Sequence, residues 1–171
     1  MNQYGKIIAI EDDNLLAPGF LQFMNDALNF YADNPRVMHV AAFRRPDLDH
    51  VEVKESTYFF YHTTTWGWAT WKRAWQHFDF TLARYRTWAI EPILARHLPD
   101  PEHAAYQAWS FHHYNGVIID AWGIQWALAC LLSGGLCLMP SHNLVRNLGF
   151  HTEATHTVDP FDMRSELARS N

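Results

Sequence analysis

Three consecutive acids, Glu11, Asp12 and Asp13, follow the apolar run Ile7 to Ile10 in "IAIEDDNLLAPGF". Neighbouring carboxylates repel one another, and burial raises the cost of keeping them charged. A hard divalent cation such as Mg²⁺ or Mn²⁺ relieves both, because it takes carboxylate oxygens and completes its shell with phosphate and water. The same acids, solvated, could instead cap the helix that follows. The triplet alone leaves the two readings open.

Other stretches carry chemistry of their own. Trp66-Gly67-Trp68 sets a residue without a side chain between two large rings, which suits either a ligand walled in by aromatics or a tight turn. Asp120 stands just before Trp122, where it is either a helix N-cap or a carboxylate held near rings as a general base. His156, in "ATHT", is one of 11 histidines, and by itself is either a surface or core residue or a metal ligand. His112, His113 and His142 have no partner at metal-ligand spacing. Of the eight tryptophans, Trp71 and Trp75 read as core, while Trp66 and Gly67 read as the better site candidates.

The elements that must hold these residues follow from periodicity. Lys6 to Ile10 reads as a buried strand that ends in the acids. Pro18 and Gly19 open a helix to about Asp33, with Phe20, Phe23, Met24, Ala27, Leu28 and Tyr31 on one face. Asn34-Pro35 ends it, and Val37 to Phe43 is a second strand. Strand, helix and strand in this order predict a βαβ unit, parallel pairing and an α/β fold with a mostly parallel sheet flanked by helices. In an open α/β sheet, ligands bind beyond the C-terminal strand ends, where the triplet lies.

Further along, Arg44 to Glu55 is a charged loop and Thr57 to His62 a third strand. Trp68, Trp71 and Trp75 share one face of a helix reaching about Phe78. Thr81 to His97 and Glu102 to Tyr114 read as helices separated by Pro99 and Pro101. A helix follows Trp122 to about Leu132, Gly134-Gly135 ends it, and Leu136 to Met139 is a last strand. Ser141 to Thr157 is a polar segment, and the tail beyond Pro160 is a terminal helix or disordered.

Composition excludes several functions. The 171 residues suit one domain, with 49% hydrophobic and 18% charged residues. The net charge is −5 and no basic block occurs, so binding to nucleic acid through its phosphates is not expected. No stretch of about 18 apolar residues is present, so no transmembrane segment is expected, and "MNQYGKIIAI" has no signal-peptide pattern. Cys130 and Cys137 match no metal motif and read as buried thiols of a reducing cytoplasm. Aromatic residues reach 15%, and tryptophan beyond the needs of a core often lines sugar-binding surfaces.

Taken in order, the motifs resemble the A-type fold of nucleotide-sugar glycosyltransferases, and specifically family-2-like bacterial sugar transferases. The matching text is "IAIEDDNLLAPGF", "WGWATWKRAWQHFD", "DAWGIQW" and "MPSHNLVRNLGFHTEATHT", covering residues 6–157. The resemblance implies metal-dependent transfer of a sugar from a nucleotide-diphosphate sugar to a hydroxyl of a glycan or lipid-linked glycan, with inversion, in surface polysaccharide or glycoconjugate synthesis. It implies Mn²⁺ or Mg²⁺ as cofactor, bound by Asp13 of a DxD-type element and by His156. Glu11 and Asp12 would contact the sugar, the ribose or metal-bound water. Trp66, Gly67, Trp68 and Trp122 would lie near donor and acceptor, Asp120 would be the base, and Asn143 and Asn147 would organise the loop that carries His156.

Family members have a nucleotide-binding half before the acidic strand, whereas here the triplet begins at residue 11. Residues 1–157 are therefore expected to be the C-terminal portion of such a catalytic domain, and residues 158–171 a tail. A partner could supply the missing N-terminal half, and the edge left on the sheet would be open to pairing. The expected location is the cytoplasm or the periphery of the inner membrane. Two other readings remain: a non-catalytic fragment or subunit with a residual sugar- or metal-binding surface, and a metal-dependent phosphoester hydrolase using the same acids.

Overall fold

The structure, a computed structural model, describes residues 3–44, 53–83, 89–98, 100–114 and 122–149. Asp120 and His156 lie outside the described residues, as do most of the loop after Arg44 and the tail.

Among the described residues, seven strands and five helices follow in the order β1 (Lys6–Ala9), β2 (Asn14–Leu16), α1 (Phe20–Phe30), β3 (Val37–Ala41), β4 (Thr57–Phe60), β5 (Trp68–Trp71), α2 (Lys72–Trp75), α3 (Ile90–His97), α4 (Pro101–Tyr114), α5 (Trp122–Leu132), β6 (Leu136–Pro140) and β7 (Val145–Asn147). Five strands form one sheet in the order β1-β5-β3-β6-β4, and β2 and β7 form a separate antiparallel ribbon. The chain is thus mixed α/β.

The expectation of a mostly parallel sheet is corrected. Among the described residues only β3 and β6 are parallel neighbours, and the other pairings are antiparallel. Strands β1 and β3 do run in the same direction with α1 between them, as a βαβ unit requires. But β5 is inserted between them, antiparallel to both: Trp68 pairs with Ala9 on one side and Ala41 on the other.

That insertion also corrects the helix expected from Trp68 onward. "WATW" is a strand, and the helix it leads into, α2, is a single turn. Two strand edges, β1 and β3, needed backbone partners, and this aromatic, β-branched stretch supplies them. Because side chains alternate along a strand, Trp68 and Trp71 enter opposite layers rather than one helix face. Trp71 packs with α1, where its Nε1–H donates to Leu28 O at 3.0 Å. Trp68 packs with Trp126 and Ala129 of α5.

Each layer has its own reason. Helix α1 buries Phe20, Met24, Ala27 and Leu28 against Val40, Ala69, Trp71 and Leu138 of the sheet. The carbonyls just past its C-terminus are capped by a distant side chain. The Arg73 guanidinium donates to Tyr31 O (2.8 Å) and Ala32 O (2.8 Å), and also to Val37 O (2.9 Å), while lying over the Trp71 ring at 4.3 Å. On the other side of the sheet, α5 is apolar nearly all round, because it is sandwiched between the sheet and a helical subcore of Ile90, Leu94, Leu98 and Phe111. Of the helix expected over Thr81 to His97, only α3 is helical among the described residues.

Candidate functional site

The triplet closes a turn rather than capping a helix. Asn14 N–H donates to Glu11 O at 3.2 Å, which puts Asp12 and Asp13 at the turn's centre, Asp12 exposed and Asp13 half-buried. Helix α1 starts later, behind Gly19, with no side-chain cap and no acid in its first turn. The capping alternative is therefore excluded for this helix.

What fixes the turn is the β2–β7 ribbon, which periodicity did not reveal because its strands are three residues long. Asn14 pairs with Asn147, and just before it Leu148 N–H donates to Asp13 O at 2.8 Å. The Asp13 carboxylate accepts from Asn14 Nδ2 at 3.2 Å, and Asn147 Oδ1 accepts the Gly149 N–H at 2.6 Å. The ribbon therefore brings the "NLVRNLG" stretch against the acids across more than a hundred residues of chain.

The rest of this sheet edge assembles from strand ends. Since β1 and β3 both flank β5, their C-terminal ends lie beside its N-terminal end, and the Trp66-Gly67 loop arrives between them. Ala42 N–H donates to Gly67 O at 2.9 Å. Gly67 has φ +61°, and a Cβ there would stand 2.8 Å from Phe20 Cε2 and 3.3 Å from Ala42 Cβ. Core packing and backbone conformation thus account for this glycine. The half-buried Trp66 ring lies 4.5 Å from that of Phe43. Past β6, Asn143 Oδ1 accepts the Arg44 N–H at 2.6 Å, and Leu144 N–H donates to Ala42 O at 2.9 Å.

Trp68 and Trp122 differ in exposure. Trp68 is buried, its ring stacked on His39 (centroids 5.3 Å, 9° between planes) and in contact with Trp75 and Trp126. It is a core side chain, so it offers no surface to a substrate here. Trp122 is 36% exposed and stands at the rim of the same cluster, 5.3 Å from the Trp68 ring. A Cβ on Gly123 would lie 3.3 Å from Thr65 Cγ2, so the first turn of α5 lies against the loop that leads to Trp66.

Sequence reasoning missed the residue that ties these parts together, His39. It is fully buried, and its Nε2–H donates to Thr64 O at 2.9 Å while Nδ1 accepts the Trp126 Nε1–H at 3.0 Å. Burial pushes its pKa down to about 3 against the upward pull of the Thr64 bond, so the ring is neutral. Thr64 Oγ1 in turn donates to Phe43 O at 2.8 Å. One signal was available: a lone polar residue inside the otherwise apolar run "VMHVAAF".

The acids fit a hard cation by their chemistry. Asp12 and Asp13 offer carboxylate oxygens, and beside them Asn14 Oδ1 is buried and accepts no hydrogen bond. No group of three His, Cys, Asp or Glu side chains gathers among the described residues. Nor is any helix of the described residues long and apolar enough to cross a membrane.

Compared with protein families and with curated proteins, the chain matches no family model and no curated sequence.

Proposed function

We propose that the chain is a metal-dependent glycosyltransferase. It would serve the transfer of a sugar from a nucleotide-diphosphate sugar to a hydroxyl of a glycan or lipid-linked acceptor. The observation that supports this reading is the convergence at one sheet edge of three segments that the sequence keeps far apart: Glu11 to Asp13, Thr64 to Gly67, and Asn143 to Gly149. That edge is where α/β sheets bind ligands.

In this reading Asp13 and His156 hold Mn²⁺ or Mg²⁺, which supplies Lewis-acid neutralisation of the diphosphate leaving group. Glu11 and Asp12 contact the sugar, the ribose or metal-bound water. Asp120, two residues before Trp122, accepts the proton of the attacking hydroxyl, and in-line attack inverts the anomeric carbon. Trp66 and Trp122 offer ring surface to the sugars.

Mn²⁺ titration followed by amide NMR tests the metal. Paramagnetic broadening should begin at Asn14, Leu148 and Gly149 and be absent in Asp13→Ala; broadening that Asp13→Ala leaves unchanged sinks this reading. Release of nucleoside diphosphate from a panel of UDP-, GDP- and dTDP-sugars with Mn²⁺ tests the reaction. Turnover should require Asp13, and full turnover by Asp13→Ala rejects the assignment.

A second reading, a sugar-binding surface without catalysis, draws on Tyr106 and Trp109 of α4. Their stacked rings (6.2 Å, 23°) are 55% and 48% exposed. Saturable glycan binding abolished by Trp109→Ala, without turnover of any donor, would favour it.

A further inference from the structure

We propose that Gly149 is a positioning residue for Asp13: the absence of a side chain at 149 is what gives the Asp13 carboxylate its place. The functional consequence rests on the metal-binding reading above, but the contact itself does not.

The backbone at Gly149 is not left-handed, unlike that at Gly67, so no dihedral requirement calls for glycine there. Space does. A Cβ at 149 would collide with Asp13 Oδ2, and would stand 3.1 Å from Asp13 Cγ and 3.0 Å from Asn147 Oδ1. Neither side can retreat without losing a bond. The Gly149 N–H is tied to Asn147 Oδ1 at 2.6 Å, Leu148 N–H is tied to Asp13 O at 2.8 Å, and the carboxylate's other oxygen accepts from Asn14 Nδ2 at 3.2 Å. The Asp13 main chain is thus held by Leu148 at one end of the ribbon while its carboxylate lies across the hydrogen face of the following residue, Gly149. Any L-side chain at 149 must turn that carboxylate out of its present rotamer. Small octahedral cations tolerate such misplacement poorly, and outer contacts of metal ligands typically control affinity about 10- to 100-fold.

Two measurements on the full chain test this. In a thermal-stability cycle, Gly149→Ala should lower Tm by about 3 °C or more when Asp13 is present and by less than about 1 °C in the Asp13→Ala background. An equal loss in both backgrounds overturns the proposal. If Gly149→Ala does not fold alone, a folded Asp13→Ala/Gly149→Ala double variant demonstrates the same coupling, and an unfolded one overturns it. In the second measurement, Mn²⁺ binding is read from the free-ion signal by electron paramagnetic resonance. Gly149→Ala should bind about 10- to 100-fold more weakly than the unaltered chain. Equal affinities overturn the positioning role. An unaltered chain that takes up no Mn²⁺ removes the metal reading, while coupling in the stability cycle still supports the contact.

Discussion

The Nε1–H of Trp126 donates to Nδ1 of His39 at 3.0 Å, so the helix behind the sheet reads the protonation state of a side chain in its central strand. The other ring nitrogen is bonded to Thr64 O, and Trp68 stacks on the ring face. Protonating His39 would put a second N–H where Trp126 already donates, at a fully buried ring.

Acid should therefore destabilise the fold through His39. Its folded pKa, about 3, lies below the ordinary 6.5, so the unfolded chain binds the extra proton. The stabilisation is fully present above pH 6.5 and is lost as the pH falls toward 3. The loss from this one group is about 2 kcal/mol by pH 5. Urea unfolding at pH 7 and pH 5 measures it. In His39→Gln the difference between the two pH values should shrink by about that amount, and an unchanged difference would assign the acid sensitivity elsewhere.

Gly67→Ala should cost stability by about 2 kcal/mol or more. The new methyl meets the Phe20 ring and the backbone is left-handed, which adds strain. Chemical denaturation checks this. A neutral substitution would show that the turn relaxes freely.

Arg73 caps α1 from a distance, so Arg73→Ala should free the Ala32 carbonyl, leave Tyr31 O with the Asn34 N–H alone, and uncover Trp71. The expected loss is about 2–3 kcal/mol, with Lys rescuing only part, because an ammonium cannot reproduce the fork. Hydrogen exchange should rise first in the last turn of α1.

Cys130 and Cys137 are both buried, and burial pushes their thiols up, so neither is a ready thiolate. A thiol reagent should label neither in the native protein and both in denaturant. Rapid native labelling of Cys130 would mean that α5 opens locally, and of Cys137 that the sheet opens at β6.

Much of the fold was legible along the chain. The spacing of Phe20, Met24, Ala27 and Leu28 marks α1, the runs at Lys6 and Val37 mark β1 and β3, and Gly134-Gly135 marks the end of α5. Each of these signals is local: a helix face or a buried strand repeats at its own period, and a glycine pair breaks it. The acids just after β1 were legible too, since charge directly after an apolar strand marks its end, although β1 is a half-buried edge strand rather than the buried one expected.

Only the tertiary structure decided where the tryptophans of "WGWATWKRAW" go. Their spacing satisfies a helix, but two unpaired strand edges claimed the backbone, and a ladder on both sides outweighs a periodicity of three side chains. The ribbon that holds Asp13 was likewise invisible, because three-residue strands carry no period and their pairing depends on contact between residues over a hundred apart. The amino-acid sequence by itself determined which residues can do chemistry. Their juxtaposition, the acids against Gly149 and the Trp66 loop against His39's network, is a property of long-range backbone pairing that no local pattern encodes.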